Sequence, residues 1–67
     1  MQLTVNGTLR TIDRPLLTVA DLVRELALEG KRIAVEKNGE IVPRSRYADT
    51  SVDATDRLEI VGAVGGG

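Results

Sequence analysis

The sequence predicts an α+β fold in which one main helix packs on one face of a mixed sheet of about four to five strands. Three observations carry this prediction. Apolar and polar residues alternate in several short segments, which is typical of strands with one buried face. Two Asn-Gly pairs, Asn6-Gly7 and Asn38-Gly39, separate such segments and favour tight hairpin turns. A single stretch beginning after Thr18 has the spacing of an amphipathic helix.

The first four strands are predicted as two hairpins. Residues 1–5 alternate apolar and polar side chains, and Asn6-Gly7 tolerates the two positive φ angles of a type I′ turn. We therefore expect the chain to return along residues 8–12. The same pattern recurs in residues 33–37, in Asn38-Gly39 and in residues 40–42.

One amphipathic helix of about three turns is predicted between the hairpins. Thr18 and Asp21 have the spacing of a capping box, in which each side chain accepts a hydrogen bond from the backbone N–H of the other residue. Leu17 and Leu22 stand at the positions of a hydrophobic staple, and Gly30 is well placed to close the helix in the left-handed conformation. The predicted apolar face comprises Val19, Leu22, Val23 and Leu26.

The segment after the second hairpin is predicted to be an irregular crossover. Pro43 has no N–H to donate to a strand ladder, so strand pairing should stop there. Residues 44–56 show no clean period, and we expect one short helical turn near residues 45–48. Tyr47 and Val52 are expected to dip into the core.

The last strand is predicted in residues 57–61, with Leu58 and Ile60 pointing inward. A right-handed crossover would place this strand parallel to the first and between the hairpins, which is the ubiquitin-like β-grasp arrangement. We therefore expect a β-grasp domain in residues 1–61 and a flexible, glycine-rich tail in residues 62–67. A central last strand would anchor that tail at one end.

The composition argues against several classes of function. The chain has no cysteine and no histidine, so it lacks thiolate and imidazole metal ligands and an imidazole base. Because no nucleophile and base stand at plausible spacing, we expect a protein that is not an enzyme and has no permanently bound cofactor. A net charge of -1 and a single aromatic residue, Tyr47, disfavour nucleic-acid binding. Without an apolar run of membrane-spanning length, we expect a cytoplasmic protein that is monomeric when isolated.

The C-terminal glycines are the main candidate for chemistry. Gly65, Gly66 and Gly67 carry no side chains, so this stretch could enter a channel too narrow for any other residue. Our hypothesis is that the protein is a carrier whose reactive group is the carboxylate of Gly67. A tail without function is the alternative explanation of the same residues.

The chain resembles the ThiS family, the small sulfur carriers of thiamin biosynthesis, over essentially its whole length. The resemblance rests on residues 1–7 (MQLTVNG), 18–22 (TVADL), 33–36 (IAVE), 41–45 (IVPRS), 56–61 (DRLEIV) and 64–67 (VGGG). The Ile-Val-Pro-Arg stretch and the glycine terminus are its distinctive parts.

The resemblance implies a mechanism and a set of partners. An E1-like adenylyltransferase, using ATP and magnesium, would adenylate the carboxylate of Gly67. A persulfide sulfur, supplied by a donor such as a cysteine desulfurase, would then replace AMP and leave a thiocarboxylate. Thiazole synthase would receive that sulfur, so the protein would be a carrier on which enzymes act.

The resemblance also implies roles for single residues of the tail. Gly67 would be the reactive residue, Gly66 would keep the carboxylate accessible, and Gly65 would add a flexible link. Ala63 and Val64 would contact the partner. Val61, Arg44 and Arg46 each have two interpretations, and the structural one is favoured. We expect Val61 to belong to the last strand instead of packing along the partner's channel. We expect Arg44 and Arg46 to be solvated loop residues instead of contacts to an acidic partner.

Other functions share the same features. A molybdopterin-type or cysteine-biosynthesis sulfur carrier would have the same fold and tail. A ubiquitin-like modifier would join the activated Gly67 to a lysine amine, and protein conjugates would reveal it. An interaction module that uses the surface of the β-grasp domain would keep its binding after deletion of Gly66 and Gly67.

Overall fold

The structure, a computed structural model, describes residues 1–13 and 17–62. Five strands form the main sheet: β1 (Gln2–Val5), β2 (Thr8–Thr11), β4 (Ile33–Lys37), β5 (Glu40–Val42) and β7 (Arg57–Gly62). A second sheet consists of the two short strands β3 (Leu17–Thr18) and β6 (Ser51–Val52). Helix α1 (Val19–Glu25) follows β3, and a 3₁₀ turn (Arg44–Arg46) follows β5.

The strand order of the main sheet is β2-β1-β7-β4-β5. Strand β7 pairs parallel to β1 and antiparallel to β4, while the two hairpins β1-β2 and β4-β5 are antiparallel. The last strand is therefore central, with one hairpin on each side. This confirms the α+β prediction and the ubiquitin-like β-grasp topology.

Both hairpin turns have the conformation that their sequence predicts. Asn6 and Gly7 have φ angles of 52° and 77°, and Asn38 and Gly39 have φ angles of 53° and 87°. Two successive positive φ angles define a type I′ turn, whose twist matches that of the strands it joins. The strands beside the second turn end where the sequence indicates, and β5 stops immediately before Pro43.

The helix begins with the predicted capping box but ends earlier than predicted. The backbone N–H of Asp21 donates to Thr18 Oγ1 at 3.3 Å, and the N–H of Thr18 donates to Asp21 Oδ2 at 3.4 Å. The helix is only 7 residues long, about two turns instead of three, because Ala27 takes the left-handed conformation with φ of 59°. The N–H of Leu28 donates to the carbonyl of Val23 at 2.9 Å, as in a Schellman motif.

The prediction that Gly30 closes the helix is therefore wrong. Gly30 has a φ of 81°, but it lies in a separate turn in which the N–H of Lys31 donates to the carbonyl of Leu28 at 3.0 Å. Glycine is favoured there because the third residue of a type II turn needs a positive φ. The left-handed conformation of Gly30 was predicted correctly, but Gly30 lies in this turn and not at the end of the helix.

One apolar core lies between α1 and the inner face of the main sheet. The inward residues of β1 and β7 and the central residue of β4, Val35, are buried, and three α1 residues of the predicted face cover them. Tyr47 packs against this cluster and Val52 is fully buried, as predicted. The buried apolar residues are Leu3, Val5, Ile12, Leu17, Val19, Leu22, Val23, Val35, Val42, Val52, Leu58 and Ile60.

The crossover contains more regular structure than the sequence indicates. Leu17 pairs with Val52 and Thr18 with Ser51, so the pairing of β3 with β6 holds the start of α1 against the crossover. The N–H of Val19 also donates to the carbonyl of Thr50 at 2.8 Å. Strands of two residues carry no alternation that a sequence pattern could detect.

Candidate functional site

The predicted reactive segment begins where the described part of the chain ends. Ala63, Val64, Gly65, Gly66 and Gly67 lie outside the described residues. The structure therefore describes the support of the proposed tail, which is strand β7 and the residues that hold it. Gly62, which the sequence assigned to the tail, is the last residue of β7 and pairs with Ile33.

Strand β7 is held along its whole length on one side. Five consecutive residue pairs join it to β4, from Lys37 opposite Leu58 to Ile33 opposite Gly62. Leu58 and Ile60 are 1% and 7% exposed in the core. Val61 belongs to this strand and pairs with Ala34, which confirms the favoured structural interpretation of Val61.

On its other side, β7 is held by β1 and then by a side chain. The parallel ladder contains Thr4 opposite Arg57 and Val5 opposite Leu58. Beyond it, Asn6 Nδ2 donates to the carbonyl oxygen of Ile60 at 2.9 Å, and the N–H of Ile60 donates to Asn6 Oδ1 at 2.7 Å. The amide of Asn6 thus replaces a backbone partner two residues before the end of β7.

The start of β7 is held in a similar way by the second hairpin turn. The N–H of Arg57 donates to Asn38 Oδ1 at 2.8 Å, and Asn38 Nδ2 donates to Asp56 Oδ1 at 2.9 Å. We call these two side-chain contacts, that of Asn6 with Ile60 and that of Asn38 with Asp56 and Arg57, the amide clamps. Sequence reasoning identified both asparagines only as turn residues.

Asp56 is the buried charged residue of the described core, with 7% exposure. Besides the bond from Asn38, Asp56 Oδ2 accepts from the N–H of Asp53 at 2.9 Å and lies 3.6 Å from Lys37 Nζ. A carboxylate whose oxygens are all engaged by hydrogen bonds and a cation is suited to closing a turn, because no oxygen remains for a substrate. We therefore assign Asp56 a structural role.

Asp53 lies at the other end of the same turn and is exposed. Thr55 Oγ1 and the N–H of Thr55 donate to Asp53 Oδ1 at 2.7 Å and 3.1 Å. These hydrogen bonds favour the ionised form and hold the pKa of the Asp53 carboxyl below its usual value. Both aspartates flank the turn before the last strand.

The outer face of the sheet, opposite α1, carries three exposed large apolar side chains. Leu9, Ile41 and Val61 are 62%, 62% and 58% exposed. Each of the three either lies next to a residue that points to the core or is paired across the ladder with a residue that points outward. Because successive side chains of a strand alternate between faces, all three lie on this face. Ile41 of β5 pairs with Glu36 of β4, whereas Val61 of β7 pairs with Ala34 of β4.

Arg44 and Arg46 lie on the exposed 3₁₀ turn that follows β5. Arg44 Nη2 donates to the carbonyl of Lys31 at 3.4 Å. Arg44 also lines a shallow groove of about 270 Å³ together with apolar side chains that include Val23 and Tyr47.

Two further features concern residues 1–13 and 17–62, namely groups of metal ligands and membrane-spanning helices. No group of three or more aspartate, glutamate, histidine or cysteine residues stands close enough to hold a metal ion there. No helix of this part of the chain has the length and apolar character needed to cross a membrane.

Comparison with known proteins identifies related sequences over the whole chain. The model of the ThiS family matches residues 3–67. A thiazole synthase of Paramagnetospirillum magneticum is 45% identical over 67 residues, which are 100% of this chain and 20% of that protein. The sulfur carrier protein ThiS of Bacillus subtilis is 42% identical over 50 residues, which are 75% of this chain and 76% of that protein. The chain thus spans a fifth of one relative and three quarters of the other.

A solved structure has the same fold. The crystal structure of the thiamine biosynthesis protein ThiS from Geobacter metallireducens superposes with a TM-score of 0.87 at 36% sequence identity, and the match covers 100% of both chains. The solution structure of a thiamine biosynthesis protein from the same organism gives a TM-score of 0.81 over 100% of this chain and 88% of that one. With the family match over residues 3–67, the chain belongs to the ThiS family, the sulfur carriers of thiamine biosynthesis.

Proposed function

We propose that this protein carries sulfur as a thiocarboxylate on Gly67 and delivers it to a thiazole synthase. The observation that carries the proposal is the position of β7. This strand is central, its side chains fill the core, and its last residue, Gly62, is paired with Ile33 only five positions before Gly67. The folded domain would thereby hold the start of the short glycine-rich tail in a fixed position.

The chemistry follows from the poor reactivity of a carboxylate. The Gly67 carboxylate attacks the α-phosphorus of ATP on an E1-like adenylyltransferase, and pyrophosphate leaves. The enzyme supplies the magnesium ion that neutralises the phosphates. The terminal sulfur of a persulfide then attacks the acyl carbon of the adenylate, and AMP leaves. A second thiol cleaves the sulfur–sulfur bond by forming a disulfide with the donor cysteine, and Gly67 keeps a thiocarboxylate.

This role requires partners and no active site in the carrier itself. A cysteine desulfurase is the proposed source of the persulfide, and thiazole synthase is the proposed acceptor. The thiazole synthase of P. magneticum supports the second partner, because a segment of its own sequence aligns with this entire chain. Ala63 and Val64 are the proposed contacts with the partners.

The test is intact-mass spectrometry after co-expression with the candidate activating enzyme, followed by a thiol-alkylating reagent. Exchange of oxygen for sulfur and oxidation of Met1 give the same nominal mass change, so the alkylation step is decisive. Because the chain contains no cysteine, an alkylated adduct that maps to Gly67 reports a thiocarboxylate. We expect this adduct only when the enzyme and ATP are both present.

A chain that lacks Gly66 and Gly67 is the matched control, because the described sheet ends at Gly62 and should fold unchanged. An unlabelled Gly67 in the presence of active enzyme and ATP would contradict the proposal. Conjugates of the protein with lysine side chains of other proteins would instead indicate a ubiquitin-like modifier.

A further inference from the structure

The two Asn-Gly pairs of the chain carry a chemistry that sulfur transfer does not use. Glycine has no Cβ, so its backbone nitrogen can reach the Cγ atom of a preceding asparagine. A bond forms between the glycine nitrogen and Cγ, the Cγ–Nδ2 bond breaks, and ammonia leaves with the proton of the glycine amide. Water then opens the resulting five-membered imide at one of its two carbonyls, which gives aspartate or isoaspartate.

In the folded chain, both ends of each asparagine amide are occupied by β7 or by Asp56, the residue just before it. Asn6 Nδ2 and Oδ1 engage the carbonyl and the N–H of Ile60 at 2.9 Å and 2.7 Å. Asn38 Nδ2 engages Asp56 Oδ1 at 2.9 Å, and Asn38 Oδ1 accepts from the N–H of Arg57 at 2.8 Å. For the glycine nitrogen to attack Cγ, the side chain must turn away from β7 and lose two hydrogen bonds that its partners cannot replace from within the sheet.

We propose that Asn6 and Asn38 are latent deamidation sites, which the amide clamps protect in the folded sheet and which react when β7 separates from the turns. The sites are not equivalent to asparagines in ordinary exposed turns. Their main-chain atoms also belong to the contact, because the N–H of Asn6 donates to the carbonyl of Leu58 at 2.9 Å and the N–H of Asn38 donates to that of Arg57 at 2.8 Å. Opening either site therefore requires local loss of the sheet.

The reaction product cannot restore the clamp. Conversion of Asn38 to aspartate would place a carboxylate oxygen where Nδ2 now donates to the buried Asp56, so two like charges would face each other. Conversion of Asn6 would place an oxygen against the carbonyl of Ile60 and remove the donor. Isoaspartate would in addition lengthen the backbone within a two-residue turn. A chain that opens and reacts is thus altered irreversibly at the turns that hold the strand supporting the proposed tail.

The first test compares deamidation of the folded protein with that of the same chain in urea, at one mildly alkaline pH and one temperature. Peptides from an acidic digest, which suppresses further reaction, report the mass increase at each site separately. We expect both sites to react at least ~10-fold more slowly in the folded protein, because only locally opened molecules can react. Equal rates in the folded and unfolded chain would overturn the proposal.

The second test opens one clamp and uses the other as an internal reference. Asp56→Ala removes the acceptor of Asn38 Nδ2 and leaves the contacts of Asn6 with Ile60 in place. We expect deamidation at Asn38 to accelerate by about 5-fold or more beyond any acceleration at Asn6, because Asn6 responds only to the general loss of stability that Asp56→Ala causes. Asp53→Ala, in the same turn but without a side-chain contact to either asparagine, is the matched control.

The outcomes of this second test show whether local opening of each clamp or global unfolding of the domain controls the rate of deamidation. Greater acceleration at Asn38 than at Asn6 supports protection of Asn38 by its own clamp. Equal acceleration at both sites would mean that only global unfolding governs the reaction, and this would overturn the assignment of protection to the individual clamps. Neither experiment requires the sulfur-transfer partners, so the result is independent of the proposed function of Gly67.

Discussion

Removal of the Asp56 carboxylate should destabilise the domain more than its position in a turn suggests. Asp56→Ala leaves Asn38 Nδ2 and the N–H of Asp53 without their acceptor, and it removes the anion 3.6 Å from Lys37 Nζ. Hydrogen bonds to a charged group contribute about 1.5–3 kcal/mol each, but the two bonds are not additive and water can reach the emptied site. We therefore expect a loss of ~2–4 kcal/mol in the free energy of unfolding.

This loss is a large part of the total. A domain of 67 residues is expected to have an unfolding free energy of about 3–10 kcal/mol. The assay is urea unfolding followed by far-ultraviolet circular dichroism, because Tyr47 is the only aromatic residue and gives a weak fluorescence signal. Asp53→Ala is the matched control in the same turn, since its side chain is exposed and contacts only Thr55 among the described residues. If the two variants unfold at the same urea concentration, the structural role assigned to Asp56 is refuted.

Three further predictions test other features of the fold. Ala27→Gly should raise the unfolding free energy by about 0.5–1 kcal/mol, because glycine relieves the left-handed conformation that ends α1; an unchanged or lower melting temperature would contradict this. Gly62→Val should fold normally, because a Cβ there meets no atom within 4 Å; loss of the folded circular dichroism spectrum would argue against its place in β7. Since the folded pKa of Asp53 is lowered, its stabilising contribution is complete above the unfolded value of 3.8 and disappears as the pH falls below it. Urea unfolding of Thr55→Ala should therefore show a deficit at neutral pH that narrows below pH 3.8, and a deficit independent of pH would refute the assignment.

Most of the fold could be predicted because its signals are local. The two Asn-Gly turns, the capping box between Thr18 and Asp21, and the alternation in the strands each act over a few residues. Together with the handedness of the crossover, they fixed the central position of the last strand. The end of the helix was not predictable in this way, because Ala27 adopts a conformation that its own type disfavours.

The supports of the candidate site could not be predicted for a different reason. Asn6 and Ile60 are 54 positions apart, and Asn38 and Asp56 are 18 positions apart. Such contacts depend on the register between distant strands, which no local pattern specifies. Composition likewise gives no sign that Asp56, one of ten acidic residues, is buried. The role of Gly67 rests on resemblance and on the proposed test, whereas the rigidity of its support rests on these contacts.

The central position of β7 has a mechanical consequence. An enzyme that draws the proposed tail into its channel would pull Gly62 along the axis of this strand. Because β1 and β4 flank β7, hydrogen bonds on both sides lie across the pulling direction and resist sliding of the strand, whereas an edge strand such as β2 is held on one side only. The amide of Asn6 adds two bonds near the point where the force enters. We therefore expect the domain to stay folded when a force is applied to Gly62 through the proposed tail.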